Sequence, residues 1–116
     1  MGYESFEKLD VWRKACRLAV EVYEILSDCK DYDLKRQMNR ASISIASNIA
    51  EGAERNTVPE YIRFLRIAKG SAAELRTQFY IADKIGLINP AISSKKIQEL
   101  KEISAMLQGL INSFKS

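Results

Sequence analysis

The chain has 116 residues and is 47% apolar, which is enough to bury the core of a single domain. Its 18 Lys and Arg residues outnumber 15 Asp and Glu residues, but the formal charge of +3 is too small to identify a polyanionic partner by itself. No apolar run reaches the roughly 18 residues of a membrane span and no signal peptide opens the sequence, so we expect one cytoplasmic domain over residues 1–116.

Turn-forming residues cluster at 28–33, 56–59 and 86–90 and divide the chain into four stretches of helical length. In the first stretch, apolar residues recur at steps of three and four, which is the spacing of one helix face. We predict that this face contributes to the core through Leu9, Trp12, Cys16, Ala19, Tyr23 and Leu26.

The first stretch also carries a second apolar stripe beside the first. With it, the apolar sector spans about 200°, against the roughly 100° that a helix on the surface of a monomer needs. We predict that this excess is a surface for self-association, formed by Val11, Leu18, Val22 and Ile25. The alternative is a four-helix core that is packed more fully than usual.

The second and third stretches each show one apolar helix face. In the second stretch it runs through Leu34, Met38, Ala41, Ile45, Asn48 and Gly52. In the third it runs through Tyr61, Leu65, Ala68, Ala72, Leu75, Phe79 and Ala82. The third helix has a clear start, because Thr57 and Glu60 form a capping box and Pro59 lies in the first turn. Small residues on both faces predict a close approach of these two helices.

The fourth stretch begins at Asn89 and Pro90 or at Ser93, and its apolar face runs through Ile97, Leu100, Ser104, Leu107, Ile111 and Phe114. Further apolar residues lie beside the last two faces and add to the surface predicted for self-association: Ile81, Ile85, Ile88, Ile103, Met106 and Leu110. No stretch alternates with the period of two typical of strands, and the connections are short. We therefore predict an all-α, antiparallel, up-down-up-down four-helix bundle.

Polar residues interrupt the apolar pattern of the second and third helices at helical spacing. They are Ser44, Asn48 and Glu51 in one helix and Ser71 and Glu74 in the other. A buried polar group needs a hydrogen-bond partner. We therefore predict that these side chains point inward and set the packing of the helices, with Arg40 paired to Glu74. A ligand-binding or catalytic role is the alternative.

The sequence contains no histidine. This removes the commonest general base, the commonest transition-metal ligand and the Ser-His and Cys-His nucleophiles. Two cysteines, Cys16 and Cys29, cannot make a zinc site. The run from Ser27 to Lys30 matches an S-x-x-K motif but lacks the companion motifs of that enzyme class. We predict no catalytic, cofactor-binding or metal-binding residue.

Basic residues cluster near the start of the second helix and along one flank of the third. They are Lys35, Arg36 and Arg40, and then Arg63, Arg66 and Lys69. Such residues commonly form a solvated face. They also suit contact with phosphates, and an oligomer would repeat them into a larger positive field. We predict weak, salt-sensitive binding of RNA or DNA through them.

The run from Arg40 to Gly52, with Arg55 after it, resembles the signature of a bacterial family. Two further groups of residues are similar to other motifs of this family. The first, near the N-terminus, is Phe6, Leu9, Val11, Trp12 and Ala15, and the second, in the third helix, is Phe64, Leu65, Ala68, Gly70, Ser71, Glu74 and Leu75. The family comprises four-helix-bundle proteins encoded in intervening sequences of 23S ribosomal RNA genes. The accessory variability proteins of diversity-generating retroelements are related to it. Arg76 departs from the pattern, in which an acidic residue is more usual at this point.

The resemblance implies a homo-oligomer, a pentameric ring of bundles. For the retroelement relatives it also implies a basic surface that engages nucleic acid and a reverse transcriptase, whereas it implies no activity for the ribosomal members. The leading hypothesis is a non-enzymatic, oligomeric accessory protein that binds RNA or DNA. The alternative is a protein-interaction scaffold that binds no nucleic acid.

Overall fold

Four α-helices make up the computed structural model, which describes residues 5–114. A short 3-10 turn, Phe6–Lys8, precedes the helices, which are α1 (Asp10–Ile25), α2 (Tyr32–Ala53), α3 (Val58–Lys84) and α4 (Pro90–Ser113). No strand occurs among the described residues, and the prediction of an all-α four-helix fold is confirmed. Within the same range, no helix combines the length and the apolar character that a membrane crossing requires.

Side-chain caps fix where α3 and α4 begin. Thr57 Oγ1 accepts a hydrogen bond from the backbone N of Glu60 at 3.3 Å, as its capping motif predicts. Asn89 Oδ1 accepts one from the backbone N of Ala91 at 2.8 Å, and α4 begins at Pro90. Proline suits this position because the first turn of a helix leaves its backbone N–H groups without partners in any case.

Contacts between α3 and α4 show that these helices are antiparallel. The rings of Tyr61 and Phe114 lie 4.9 Å apart at one level of the bundle. Further along α3, Lys69 Nζ donates a hydrogen bond to Gln108 Oε1 at 2.7 Å. From the first of these contacts to the second, the residue number rises in α3 and falls in α4, so the two helices run in opposite directions. Short connections between the other successive helices give the same arrangement, in a bundle 47 Å long and about 20 Å across.

The core is built from the predicted faces of α2, α3 and α4. All seven residues predicted for the face of α3 are buried, and so are Met38, Ala41, Ile45 and Gly52 of α2. Helices α2 and α3 come so close at Gly52 that an added Cβ would lie 2.7 Å from the Cβ of Phe64. The absence of a side chain at this position therefore permits the close approach of the two helices.

Helix α1 packs against the core with the stripe that was predicted to mediate self-association. Val11, Leu18 and Val22 are buried and Ile25 is half-buried against the core, so the prediction that they form an intersubunit surface was wrong. The stripe predicted to be buried is only partly covered, and Tyr23 is 65% exposed. Both stripes have helical spacing, and spacing alone does not tell which of two adjacent stripes meets the neighbouring helices.

The second group of residues predicted for self-association is also divided by the fold. Ile88 and Ile103 are buried, so they belong to the core and were wrongly placed on the surface. Met106 and Leu110 are half-buried and pack against the core. Only Ile81 and Ile85, near the end of α3, are exposed as expected.

Candidate functional site

An open apolar groove runs between α1 and α2, and we call it the α1–α2 groove. Its volume is about 440 Å³, and it is lined by Phe6, Trp12, Cys16, Ala19, Val20, Ile43, Ala46, Ser47 and Ala50. Val20 is 60% exposed and Ile43 57%. The stripe of α1 that the core leaves uncovered forms one wall, and the side of α2 that faces α1 forms the other. Grouped apolar side chains of this kind commonly mark a binding surface.

The N-terminal turn covers one end of the α1–α2 groove. The ring of Phe6 meets that of Trp12 edge to face, with centroids 5.2 Å apart and an angle of 68° between the planes. Arg13 Nε donates a hydrogen bond to the carbonyl oxygen of Glu7 at 2.9 Å. No residue of the turn is fully buried. The aromatic side chain of Phe6 therefore covers this end of the groove.

The groove also contains a thiol. Cys16 is half-buried in its wall, and burial raises the pKa of this thiol. Cys29 lies outside the groove, after α1, with its Sγ 3.7 Å from the carbonyl oxygen of Asp31. Neither cysteine forms a disulfide. The two thiols can therefore report separately on the groove and on a surface away from it.

Three of the predicted structural polar residues come together between α2 and α3. The hydroxyl oxygens of Ser44 and Ser71 are hydrogen-bonded at 2.8 Å. Asn48 Nδ2 donates to Ser44 Oγ at 2.9 Å and to the carbonyl oxygen of Ser44 at 2.8 Å. All three side chains are half-buried. Their hydrogen bonds join the two helices at one register, which is a structural role.

Glu51 and Glu74 do not join this network. Both are exposed, and Glu51 Oε1 accepts a hydrogen bond from Arg55 at 3.0 Å. No ion pair links Arg40 to Glu74 among the residues that the structure describes. The inward orientation predicted for both glutamates was wrong. Each lies three residues after a half-buried polar residue, and a step of three on a helix turns the side chain by about 60°, here toward solvent.

The basic residues predicted to contact nucleic acid form two separate groups. Lys35, Arg36 and Arg40 lie in the first half of α2, and Arg63, Arg66 and Lys69 in the first half of α3. Because these two helices are antiparallel, the groups occupy opposite ends of the hairpin that the helices form. The six residues therefore do not make one continuous patch.

Several of these residues are already bound within the chain. Arg36 pairs with Asp33, Arg63 with Glu60 at 3.0 Å, Lys35 with the carbonyl oxygen of Ser27 at 3.3 Å and Lys69 with Gln108. Arg40 and Arg66 are exposed, and neither has an ion pair within residues 5–114. These two arginines are the freest of the predicted set to contact an anion.

A cluster at the turn between α2 and α3 was not predicted from the sequence. The guanidinium carbons of Arg55 and Arg63 each lie 4.6 Å from the centre of the Phe64 ring. Glu51 and Glu60 hold the two guanidiniums, and the hydrogen bond from Arg63 lowers the pKa of Glu60. The spacings of three and four residues between each glutamate and its arginine are a local signal of these pairs.

A second ionic cluster, also not predicted, joins α1 to α4. Lys96 is only 4% exposed, and its Nζ donates hydrogen bonds to Glu21 of α1 and to Glu99 of its own helix, the latter at 3.1 Å. Lys14 and Glu102 form a second bridge between the same helices at 2.9 Å. Ion pairs thus replace part of the apolar packing at this interface.

Comparison with known proteins identifies the relationship that the sequence motifs suggest. The model of the 23S rRNA-intervening sequence protein family matches residues 7–109. The chain belongs to this family. A crystal structure from Bacteroides thetaiotaomicron, described as a protein with unknown function from the S23 ribosomal protein family, is similar with a TM-score of 0.82. The two sequences are 24% identical, and the match covers 87% of this chain and 97% of that one, which establishes the shared fold.

No curated protein matches the sequence. The descriptions of the 23S rRNA-intervening sequence family and of the structural relative name no enzymatic activity. In the described part of the chain, no group of three or more Cys, Asp or Glu side chains is arranged to hold a metal ion. The family match covers α1, α2 and α3 completely.

Proposed function

We propose that this family member works by association, as a homo-oligomer whose subunits meet through the α1–α2 groove, and that it catalyses no reaction. The observation that carries the proposal is the groove itself, in which Val20 and Ile43 are more than half exposed. Covering apolar surface is favourable by about 25 cal/mol per Å². A groove walled by such side chains on two rigid helices is therefore suited to a protein partner.

The dimensions of the groove suit a helix from a second subunit. From Trp12 to Tyr23, the uncovered stripe of α1 extends over about 16 Å, which is three helical turns. A stable interface buries about 800 Å² on each partner, so the surfaces beside the groove must also take part. A groove that receives a different surface of the next subunit makes a heterologous contact, and such contacts close into a ring when the rotation between subunits closes and otherwise extend into a filament. A closed ring would agree with the pentamer that the family resemblance implies.

Introducing a charge into the apolar wall tests the association. We expect the wild-type protein to exceed the mass of the 13.2 kDa chain in light scattering at micromolar concentration. Val20→Lys and Ile43→Lys should reduce the mass to that of the monomer, because a buried interface does not accommodate an unpaired ammonium. Ile85→Lys is the matched control, since Ile85 is 60% exposed directly after the end of α3, away from the groove. A monomeric wild type, or equal loss of mass in all three variants, contradicts the proposal.

The assembled protein, we further propose, binds RNA or DNA as an accessory factor. Arg40 and Arg66 support this second function, because both are exposed and neither has an ion pair within the described residues. Each subunit of an oligomer adds another formal charge of +3. Arginine suits phosphate because its planar fork donates two parallel hydrogen bonds. Binding of this kind is weak for one subunit and is strengthened by repetition.

Fluorescence anisotropy with structured RNA, single-stranded RNA and duplex DNA at two salt concentrations tests this function. We expect affinity to fall steeply with salt, because neutralised phosphates release counterions. The double variant Arg40→Glu and Arg66→Glu should lose most of the binding. Arg17→Glu combined with Lys101→Glu makes the same change of charge at exposed positions on α1 and α4 and should bind more strongly than the first pair. Equal losses of affinity in the two double variants would mean that binding depends on net charge alone. No binding of the wild type at low salt would contradict this function and favour the protein-interaction scaffold.

A further inference from the structure

We propose that the N-terminal turn is a displaceable strap, whose residue Phe6 occupies one end of the α1–α2 groove and competes with the subunit that binds there. This inference rests on the proposed association through the groove and adds a means of regulating it. In the closed state the strap shortens the groove. In the open state Trp12 becomes available to the partner.

Phe6 lines the groove although it belongs to neither of the helices that form the walls. Its ring packs edge to face on Trp12, an arrangement that an aromatic anchor of a partner could reproduce. Aromatic side chains of this kind commonly carry much of the binding energy at protein interfaces. The chain therefore supplies, in its own N-terminal turn, a group that occupies the position of such an anchor.

The turn lies against both α1 and α2, but the hydrogen bonds that hold it are few and local. None of its residues is buried, and its backbone-to-backbone hydrogen bonds are at its own ends, from Lys8 N to Ser5 O at 3.0 Å and from Leu9 N to Phe6 O at 2.9 Å. The side-chain tether is the hydrogen bond from Arg13 Nε to the carbonyl oxygen of Glu7. Segments with so little burial open at a small fraction of the global stability.

Leu9 forms the natural hinge of this movement. It is half-buried against the core, and its carbonyl oxygen accepts the backbone hydrogen bond from Arg13 N at 3.1 Å that begins α1. The residues before it can therefore lift away while α1 stays in place. The apparent association constant is then the intrinsic one multiplied by the fraction of chains in which the strap is open. Any change that releases the strap strengthens association without altering the groove.

Two measurements on the full-length chain separate the strap from the association itself. Sedimentation gives the association constant, and maleimide labelling at mildly alkaline pH, on protein diluted until it is monomeric, gives the reactivity of the Cys16 thiol relative to Cys29. The variants are Phe6→Ala, which removes the ring, and Arg13→Ala, which removes the tether. Tyr32→Ala is the matched aromatic truncation, since Tyr32 is exposed at the start of α2.

We expect Phe6→Ala to strengthen association about fivefold and to speed the labelling of Cys16. Arg13→Ala should act in the same direction with a smaller effect, and Tyr32→Ala should change neither measurement. Weaker association of Phe6→Ala would overturn the strap, because Phe6 would then be part of the interface, and so would unchanged association and labelling. If the wild type is monomeric at every concentration, the proposed association fails, and labelling alone still decides whether the turn covers the groove.

Discussion

Lys96 is a buried charge on α4 that pairs with a carboxylate of α1 and with one of its own helix. Burial lowers the pKa of its ammonium group, but the hydrogen bonds and negative charges of Glu21 and Glu99 outweigh burial, and the pKa is raised overall. The folded state therefore holds this proton more tightly than the unfolded state. The resulting stabilisation is complete below the unfolded pKa of about 10.4 and is lost as the pH rises through the folded pKa.

Replacement of this lysine by an uncharged side chain of similar length tests the argument. We expect Lys96→Met to lower the free energy of unfolding by about 1–3 kcal/mol near neutral pH, because two carboxylates lose their charged hydrogen-bond partner. The variant should also lose part of the decline in stability that the wild type shows above about pH 10. Lys101→Met, at an exposed position of the same helix, is the control. Urea unfolding at neutral and at alkaline pH measures the free energy of unfolding of the two variants. Identical pH profiles for Lys96→Met and Lys101→Met would contradict the role given to the Lys96 ammonium group.

Residues with nearby partners were the easier ones to predict. Thr57 caps α3 through a residue three positions away, and Asn48 bonds to Ser44 one turn before it. The sequence displays both partners within one helical turn. Lys96 gives no such indication of its partner on α1, because Glu21 lies 75 residues earlier in the chain. Its burial follows from the assembled bundle, and so local spacing could not predict it.

At the level of the helices, the number of apolar stripes decided how much could be predicted. Helix α3 has one such stripe, from Tyr61 to Ala82, and every residue predicted for it is buried. Helix α1 has two, and the sequence offered no rule for choosing between them. The choice depends on where α2 and α4 approach α1. The structure answers it through Leu18 and Val22 of one stripe, which are buried, and Tyr23 of the other, which is 65% exposed.

The approach of α2 and α3 depends on the absence of a side chain at Gly52. A Cβ at this position would lie 2.7 Å from the Cβ of Phe64 and 3.2 Å from the carbonyl oxygen of Tyr61. Neither atom can move without its backbone. We therefore expect Gly52→Ala to lower the free energy of unfolding by about 1–3 kcal/mol. Gly70→Ala is the control, because a Cβ there meets no atom within 4 Å and alanine favours the helix by up to about 1 kcal/mol.

Denaturant unfolding of the two alanine variants gives the comparison. The expected result is opposite signs, with Gly52→Ala less stable and Gly70→Ala more stable than the wild type. Equal effects at both positions would mean that helix propensity dominates and that the helices can separate at Gly52 at no cost.

For the whole molecule, the sequence indicated an excess of apolar surface but not its location. The surplus on α1 was assigned to Val22 and its neighbours, whereas the structure leaves open a different strip of α1, which includes Val20 and lies beside Ile43 of α2. Charge was more predictable than the apolar surface. Glu60 lies three residues before Arg63 and pairs with it, whereas no Asp or Glu lies three or four residues from Arg66. The spacing of charges along one helix therefore indicates which of these two arginines remains free for a partner.

Association through the α1–α2 groove also makes stability depend on protein concentration. A contact that only the folded chain can form stabilises it in proportion to the logarithm of the concentration of free partner. We expect the midpoint of thermal unfolding to rise by several degrees over a hundredfold increase in protein concentration, followed by circular dichroism. The same rise should occur in Ile85→Lys, whose substituted residue lies outside the groove. In Val20→Lys and Ile43→Lys the midpoint should be independent of concentration, because the monomer and its core remain intact while the intersubunit contact is lost. A rise of equal size in all four proteins would place the association on another surface, and no rise in the wild type would contradict association through the groove.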